Sequence, residues 1–524
     1  MGHDTEKRHF YESKERRSIE SPRRLDTIVS TASSDDSSSA RYEHLDGLRG
    51  LAAVCVVIMH VTPDFTEGLH EHGFGEVMKY WHLTSFPFIR LMWSGGNAAV
   101  PIFFVLSGFA LSIAPLRLLR EKGRTAGPEL RRKLMAAVLR RPIRLYAPAI
   151  AITILQAVFR QIPGLCILNP NIPPVPKANL VQELGSAAKV FQFFWPFQDH
   201  EAASFPYNQV MWTLPIEMNG SLLVYAMLLL FSLGAIAGPG VRAPATFSAL
   251  LLIGGAIVLQ TTRHWSFACF AWGVMLAVID QWPVGTHFQY STNHLYRRLR
   301  IMRGPQTLPV VSEKTTKPRT DSLLEVLAKL DAFAPHLCLF LGWYLLSIPG
   351  YPDHRYCADT LGWQWLNGLI PRPFDNDFRF HRYWTTVGSL PVVYAVLRIG
   401  WLQTFFKTKA LVFLGRVSFA LYLVHLPMKP IIEERIKPLV GGYTNPPLEG
   451  TFWDHYWNVS DVGPPGLSPR YLIAMAVIMP CFLLVAWAAT VAIDEPFVRM
   501  SKNLTRKLGL DKPRRMSATA ISEV

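Results

Sequence analysis

The sequence has few charges and few cysteines for its length. Only 17% of its 524 residues are charged, whereas an average soluble protein has about a quarter. The six cysteines include no CxxC pair and no metal-binding spacing, so we expect no redox motif and no metal site. The first 43 residues contain no apolar stretch, and no signal peptide is expected. No repeat of fixed period occurs, which argues against a transporter built from repeated halves.

Half of the sequence is apolar, and its apolar residues gather into long runs separated by charged segments. A helix needs about 20 predominantly apolar residues to cross a bilayer. The pattern therefore predicts an all-α polytopic membrane protein with about ten transmembrane helices. The predicted spans are residues 47–63, 97–115, 144–160, 211–233, 244–261, 265–280, 333–348, 383–399, 411–428 and 470–492.

The positive charges indicate how these spans are oriented. Lys and Arg outnumber Asp and Glu by 53 to 38, and they concentrate between the second and third spans, between the sixth and seventh, and in the C-terminal tail. Cytosolic loops carry such an excess, so both termini are predicted to be cytosolic. No zinc spacing or recognition-helix pattern accompanies the basic residues, and we expect membrane lipids rather than nucleic acid as partners. The endoplasmic reticulum or another endomembrane is the predicted location.

These features divide the chain into three parts. Residues 1–43 are polar and Ser-rich and predict a disordered cytosolic arm. Residues 44–497 form the predicted transmembrane domain, in which residues 281–332 are a long basic cytosolic loop without a fold of its own. Residues 498–524 are the predicted basic cytosolic tail.

Ionisable residues inside predicted spans are candidate functional residues, because burying charge in a membrane is costly. Arg49 and His60 are eleven residues apart, which places them on one face of a helix and about 16 Å apart along its axis. Depths counted from the span ends put His60, Glu217 and His425 at similar levels, so we expect three helices to bring them together. The alternatives are a snorkelling membrane anchor for Arg49 and purely structural bonds for the other three.

Two further segments carry groups suited to chemistry. Ser107 places a hydroxyl near the middle of the second span, in a segment whose small residues equally suit ordinary helix packing. Arg141 and Arg144 lie one helical turn apart at the start of the third span. Two such guanidinium groups can bind phosphate oxygens, although anchoring at the membrane surface explains them equally well.

Taken together, these motifs resemble the membrane-bound acyltransferase 3 family of O-acyltransferases. Arg49 and His60 are similar to the family's first-helix signature. The other similar motifs, in the family's order, are Phe103-Phe104-Val105-Leu106-Ser107-Gly108-Phe109, Arg141 with Arg144, Trp212 to Glu217, Gly415 to His425, and Glu495-Pro496-Phe497. Phe419 stands where the family usually has Tyr, and the basic 281–332 segment is long.

The resemblance implies transfer of an acyl group, most often acetyl, from cytosolic acyl-CoA to a hydroxyl of a carbohydrate or other small-molecule acceptor. No bound cofactor is expected, since acyl-CoA is a co-substrate. The reaction needs a base for the hydroxyl proton and groups that stabilise an oxyanion. We predict His60 as the base, Glu217 as its orienting partner or a second base, Ser107 and His425 as oxyanion-stabilising residues, Asp64 as a rival orienting residue, and Arg49, Arg141 and Arg144 as the acyl-CoA-binding residues.

A multi-span transporter that uses His and Glu for proton coupling is the alternative function, and a receptor or structural membrane protein is the third. A transporter does not require an arginine pair at the mouth of a span. A receptor leaves the clustered ionisable groups unexplained.

Two modifications are predicted in loops on the non-cytosolic side. Cys166 and Cys357 are the only cysteines in predicted loops, and because both lie on the oxidising side we predict a disulfide between them. Asn458 begins an Asn-Val-Ser sequon in the last such loop and is the predicted glycosylation site.

Overall fold

The computed structural model describes residues 42–168, 174–194, 205–237, 242–282, 319–350, 353–374, 379–444, 447–448 and 450–511. These residues form helices and connecting segments and no β-strand, which confirms the predicted all-α class. The helices used below are α1 Glu43–Val61, α2 Gly96–Lys122, α3 Gly127–Arg160, α4 Thr213–Ala237, α5 Arg242–Thr261, α6 Trp265–Gln281, α7 Arg319–Leu346, α8 His381–Arg398, α9 Lys409–Met428, α10 Pro469–Ala489 and α11 Glu495–Lys507.

Each of the ten predicted spans overlaps one of the helices α1 to α10. Among the described residues, seven helices are long and apolar enough to cross a membrane, and α8 adds an eighth if it is counted with the helix Gly400–Phe406, from which it is bent by 94°. The helix α6 and the apolar part of α7, Ala332–Leu346, are shorter. The number of ten spans and the cytosolic termini therefore stay predictions.

The long basic loop is shorter than predicted. The helix α7 begins at Arg319, so residues 319–332 are helical rather than part of a loop without structure. The C-terminal tail likewise begins as the helix α11, in which Ser501 and Thr505 are buried. The predictions for residues 1–41, 283–318 and 512–524 fall outside the described residues.

Glycines permit the closest helix contacts. A Cβ atom on Gly108 of α2 would lie 2.4 Å from the carbonyl oxygen of Phe270 on α6, so only glycine allows this approach. A Cβ atom on Gly50 of α1 would lie 2.4 Å from the main-chain nitrogen of Gly415 on α9. The helices α1 and α9 are therefore in direct backbone contact.

Two helices end in a π-helical turn. The turn Lys429–Glu433 follows α9, and the turn Thr490–Asp494 follows α10. Isolated π-helical turns within α-helices are frequently found at functional sites. Here each turn contributes a charged residue, Lys429 or Asp494, to the lining of a cavity.

Candidate active site

The two histidines singled out in the sequence meet between α1 and α9. Nε2 of His425 lies 3.3 Å from Nδ1 of His60, and the ring centroids are 5.1 Å apart. His425 is fully buried, whereas His60 is half-buried. Each histidine follows a contacting glycine, Gly50 or Gly415, by ten residues. Because α1 and α9 run in the same direction from that contact, the two side chains arrive at the same level.

Main-chain carbonyls determine where the two rings carry their hydrogens. Nδ1 of His60 lies 2.9 Å from the carbonyl oxygen of Val56, and Nδ1 of His425 lies 3.1 Å from that of Leu421. A carbonyl oxygen only accepts hydrogen bonds, so each neutral ring has its hydrogen on Nδ1 and a lone pair on Nε2. The hydrogen on Nδ1 of His60 is then shared between the carbonyl oxygen of Val56 and the more distant Nε2 of His425, and Nε2 of His60 is the basic nitrogen. The pair is arranged as a base with an orienting partner.

Glu217 on α4 lies apart from the histidines and binds other residues. Its Oε1 accepts a hydrogen bond of 2.5 Å from Oγ of Ser107 and forms an ion pair with Arg141. Nε of Arg141 also donates to Oγ of Ser221, at 2.8 Å. The predicted convergence of Glu217 with the two histidines is therefore wrong. The single hydroxyl hydrogen of Ser107 is engaged by Glu217, which also argues against its predicted role as an oxyanion donor.

The directions of α4 and α9 explain this separation. Oγ1 of Thr213 lies 3.0 Å from the hydroxyl of Tyr422, which fixes the level at which the two helices touch. Glu217 lies four residues after Thr213, and it lines the same cavity as Val412 and Gly415, which precede Tyr422 on α9. His425 lies three residues beyond Tyr422 in the opposite direction. At 1.5 Å per residue the two offsets amount to about 10 Å along the bundle.

A cavity of about 610 Å³ lies at the start of α1. We call it the arginine cavity, because its lining includes Arg49, Arg141, Arg144 and Arg416. Arg144 is exposed and makes no hydrogen bond or ion pair with the described residues, whereas Arg141 is held by Glu217. Arg49 makes one contact of 3.4 Å with Asp46. Guanidinium groups with donors to spare are suited to binding a phosphate-bearing ligand.

Sequence reasoning missed two charged residues of the arginine cavity. Arg416 lies in its wall and pairs with Glu495 at 2.6 Å, and Asp494 lies in the π-helical turn beside it. Arg416 directly follows Gly415, the residue at which α9 touches α1. Its position within the Gly415 to His425 motif could have indicated Arg416 as a functional residue. For Asp494, the one such indication was its place next to the Glu495-Pro496-Phe497 motif.

A cluster of charged side chains lies at the C-terminal end of α1. Nζ of Lys429 donates a hydrogen bond of 2.7 Å to the carbonyl oxygen of His60 and forms an ion pair with Asp64. Nζ of Lys437 lies 3.4 Å from the same carboxylate. Asp64, predicted as a rival orienting residue for His60, is therefore bound to lysines instead. Lys429 ties the last turn of α1 to the π-helical turn after α9.

A second cavity, of about 520 Å³, lies at this cluster. We call it the distal cavity, and its lining includes Asp64, Leu426 and Lys429. Neither cavity is lined by His60 or His425. The arginine cavity ends at Tyr422, whose ring centroid is 6.1 Å from that of His425. The histidine pair therefore lies between two cavities that approach it from opposite ends of α1.

Arg382 at the start of α8 supports the tryptophan of the fourth-helix motif. Its guanidinium lies 5.1 Å from the ring centroid of Trp212 and 5.0 Å from that of Trp265. Nη1 of Arg382 also donates to the carbonyl oxygen of Asn97, at 3.2 Å. Cation–π contacts of this kind are strong when they are shielded from water, and Arg382 is 8% exposed. Arg382 directly precedes the predicted span 383–399, so the sequence did not mark it as a functional residue.

The two loop cysteines do not form the predicted disulfide. Cys166 and Cys357 are both free thiols, and Cys357 is fully buried. Burial raises the pKa of the Cys357 thiol to about 12, so it is a poor nucleophile for thiol exchange. It packs with Trp363 and Phe380 in an apolar cluster. The predicted pairing is therefore wrong. Asn458 is exposed in the segment between α9 and α10, and its glycosylation stays a prediction.

Comparison with protein families identifies the chain's relatives. The family model described as "Acyltransferase domain", of the acyltransferase 3 type, matches residues 42–491. The matched range contains His60, His425 and most of the residues that line the two cavities. No solved structure is significantly similar to the chain.

Three curated fungal proteins are similar over most of the chain. O-acetyltransferase PaAT-1 of Phomopsis amygdali is 27% identical over 426 residues, which cover 76% of this chain and 75% of that protein. Acyltransferase clz18 of Cochliobolus lunatus is 23% identical, covering 73% of this chain and 81% of its own length. Acyltransferase R4 of a Phoma species is 22% identical, and the similar region covers 73% of this chain and 81% of that protein.

Proposed function

The chain belongs to the acyltransferase 3 family of acyltransferase domains, and on that premise we propose that it transfers an acetyl group from acetyl-CoA to the hydroxyl of a small-molecule or carbohydrate acceptor. Membership of the family supports a membrane-bound enzyme that transfers acyl groups. The similarity to PaAT-1 of Phomopsis amygdali, an O-acetyltransferase, supports acetyl as the group and oxygen as its acceptor.

His60 is the proposed general base. Its Nε2 takes the proton of the acceptor hydroxyl while the hydroxyl oxygen attacks the thioester carbonyl carbon. The carbon–sulfur bond then breaks, and the coenzyme A thiolate leaves and receives the proton from His60. During this step the imidazolium of His60 is stabilised by Nε2 of His425, which accepts the hydrogen bond from Nδ1 at 3.3 Å. His425 is thus proposed as an orienting partner rather than an oxyanion donor.

The arginine cavity is the proposed donor site. Arg144 and Arg49 offer guanidinium groups for the phosphates of coenzyme A, and Arg416 adds a third at the wall. Arg141 lines the same cavity but is bound to Glu217, so we propose that it fixes the cavity wall and contributes charge at longer range. Glu217 and Ser107 are proposed as positioning residues of that wall.

The membrane orientation follows from the same assignment. Acyl-CoA is a cytosolic metabolite in the proposed reaction, so the arginine cavity faces the cytosol. This orientation agrees with the excess of Lys and Arg before α3 and after α10. Both termini are then cytosolic, and an endomembrane such as the endoplasmic reticulum is the proposed location.

The observation that carries the proposal is the contact between His60 and His425 at one end of an arginine-lined cavity. The test is release of coenzyme A from acetyl-CoA by microsomes that contain the protein or its His60→Ala variant. Loss of a general base lowers such a rate by about 10² to 10⁴.

A matched control is available in α7. Nδ1 of His336 lies 3.2 Å from the carbonyl oxygen of Ala332, one turn earlier, as Nδ1 of His60 does to Val56, but His336 is exposed and lies outside both cavities. The His336→Ala variant is expected to retain full activity. A His60→Ala protein that is inserted normally and remains fully active would contradict the assigned mechanism.

A further inference from the structure

The distal cavity reaches the histidine pair from the side opposite the arginine cavity. Its lining residue Lys429 donates a hydrogen bond of 2.7 Å to the carbonyl oxygen of His60. Its lining residue Leu426 is the next residue after His425. With about 520 Å³, the cavity lies within the usual range for small-molecule sites. Two residues of its lining are thus directly linked to the histidine pair, Lys429 through the main chain of His60 and Leu426 as the neighbour of His425.

The charges around the distal cavity are already paired. Asp64 binds Lys429 and lies 3.4 Å from Lys437, and Lys437 lies 3.2 Å from Glu434. The remaining charged lining residue, Arg160, pairs with buried Glu183 at 3.1 Å. A charged ligand would have to compete with these pairs for its counter-ion. The cavity therefore favours an uncharged ligand.

Gln156, a residue of the cavity lining, has a hydrogen-bond acceptor that is unpaired within the described part of the chain. Its side chain is 8% exposed and lines the cavity, and its Nε2 donates to the carbonyl oxygen of Tyr207 at 2.7 Å. Its Oε1 is buried and has no hydrogen-bond partner among the described residues. Buried polar atoms are nearly always paired, so an unpaired one in a cavity wall points to a donor from a ligand or a water. A hydroxyl group is such a donor.

Apolar side chains make up much of the remaining lining: Ile167, Leu168, Pro174, Pro206, Leu426 and Pro430. Such surfaces suit a carbon skeleton better than a ring of hydroxyl groups. The lining as a whole thus combines apolar walls, internally paired charges, the polar side chains of Gln209, Tyr443 and Thr444, and one buried acceptor without a partner among the described residues.

We propose that the distal cavity binds the acceptor, and that the acceptor is an uncharged alcohol with a mainly apolar skeleton. The assignment rests on the proposed transfer from acetyl-CoA. The alcohol enters at the end of α1, is held by Oε1 of Gln156, and presents its hydroxyl to His60 past Lys429. Acetyl-CoA stays in the arginine cavity, so the two substrates reach the histidine pair from opposite sides.

The test measures binding without requiring turnover. The Gln209→Cys variant introduces a thiol at an exposed position of the distal cavity lining. Microsomes with this variant are treated with N-ethylmaleimide, and modification at residue 209 is quantified by mass spectrometry. Cyclohexanol, choline, lactate and glucose are the probes, each at the same concentration. Cyclohexanol is expected to slow the modification at least threefold, and the cationic, anionic and sugar probes are expected to leave it unchanged.

A second substitution checks the role of Gln156. In the Gln156→Leu background, protection by cyclohexanol should require at least a fivefold higher concentration. Gln281→Leu is the matched control, because Gln281 is also a buried glutamine whose Oε1 has no described partner, but it lies outside both cavities. The proposal is overturned if choline, lactate or glucose protects residue 209 as well as cyclohexanol does. It is also overturned if residue 209 is never modified, or if Gln156→Leu does not change the cyclohexanol concentration needed for protection.

Binding of radiolabelled acetyl-CoA separates this proposal from the proposed function. It should be unchanged in the Gln156→Leu variant. If cyclohexanol protects residue 209 but the protein binds no acetyl-CoA, the acetyl-CoA-dependent function is contradicted, and only the binding of an alcohol in the distal cavity is supported. Protein that binds acetyl-CoA but gives no cyclohexanol protection would contradict the acceptor site alone.

Discussion

The two cavities at opposite ends of α1 differ in how their charges are held. In the arginine cavity, Arg144 has no hydrogen-bond or ion-pair partner among the described residues, and Arg416 pairs only with Glu495. In the distal cavity every charged lining residue belongs to an ion pair with a neighbour. Available positive charge attracts an anionic ligand, whereas paired charge contributes no net attraction. This difference supports the proposal of an anionic donor in one cavity and an uncharged acceptor in the other.

The histidine pair is the only part of the proposed machinery that both sides share. His60 and His425 belong to the two helices whose backbones touch at Gly50 and Gly415. Substitutions at the pair should therefore lower the maximal rate even when both substrates are saturating. Substitutions in one cavity should mainly change the KM for the substrate that binds there.

The largest effect on the reaction rate is expected at the shared pair. His425→Ala removes the acceptor at 3.3 Å from Nδ1 of His60, so the imidazolium formed during transfer keeps only the carbonyl oxygen of Val56 as an acceptor at that nitrogen. We expect the maximal rate of coenzyme A release to fall by about 10- to 100-fold, with little change in KM for acetyl-CoA, because the loss of one such hydrogen bond corresponds to about 1.5–3 kcal/mol.

His425→Gln is the matched variant, because its side-chain amide can again accept a hydrogen bond from His60. It should recover part of the rate that His425→Ala loses. Equal loss in both variants would show that His425 contributes packing and not a hydrogen bond.

The next effect separates two neighbouring arginines of the donor cavity. Arg144→Ala should raise KM for acetyl-CoA about tenfold or more while protein stability stays unchanged, since the guanidinium has no partner to abandon. Arg141→Ala leaves Glu217 without its counter-ion in a largely buried position and should lower stability by about 3–5 kcal/mol. Kinetics and thermal unfolding of both variants check the distinction.

Arg140→Ala is the control for these two, because Arg140 pairs with Asp511 at the surface, where ion pairs contribute about 0–1 kcal/mol. It should match the wild type in both measurements. A reversed pattern, with Arg144→Ala unstable and Arg141→Ala defective only in KM, would contradict the assignment of roles in the cavity.

A smaller effect concerns the helix contact that joins the two cavities. A Cβ atom on Gly50 would lie 2.4 Å from the main-chain nitrogen of Gly415, so Gly50→Ala should cost about 1–3 kcal/mol of stability. Gly254→Ala on α5 is the control, since nothing lies within 4 Å of its added Cβ atom. Thermal unfolding in detergent measures both. Equal midpoints for the two variants would show that α1 and α9 can separate without cost.

The smallest effect tests which side of the membrane the distal cavity faces. Tyr443 and Thr444 line this cavity and belong to the same segment between α9 and α10 as Asn458. Ser460→Ala removes the sequon and should abolish a glycosidase-sensitive mass difference without changing activity. A wild-type protein without that mass difference would leave the lumenal position of this segment unsupported, and a shift that survives Ser460→Ala would reject Asn458 as its origin.

Several features of the site could be predicted from sequence. The pattern of apolar runs located the helices. Arg49 and His60, predicted to lie on one helix, are both part of α1. The motif around His425 identified the second histidine. The grouping of Arg141 and Arg144 located the arginine cavity, although their different partners could not be read from their spacing.

Other features depended on contacts between helices. Glu217 was expected beside the histidines, but α4 meets α9 at Thr213 and Tyr422 and carries Glu217 away from them. Asp64 was expected beside His60, but lysines from the segment after α9 bind it. Arg382 lies outside the predicted span 383–399, yet its guanidinium contacts the rings of Trp212 and Trp265.

The amino-acid sequence was sufficient to predict the helical class, the position of the long helices and the residue types of the proposed acyl-transfer site. These follow from local apolar content and from the fixed rise and turn of a single helix. Which ionisable groups meet could be read only from the packing of the helices. That depends on the level and rotation at which two helices pack, and a shift of one turn, about 5.4 Å, is enough to replace one partner by another.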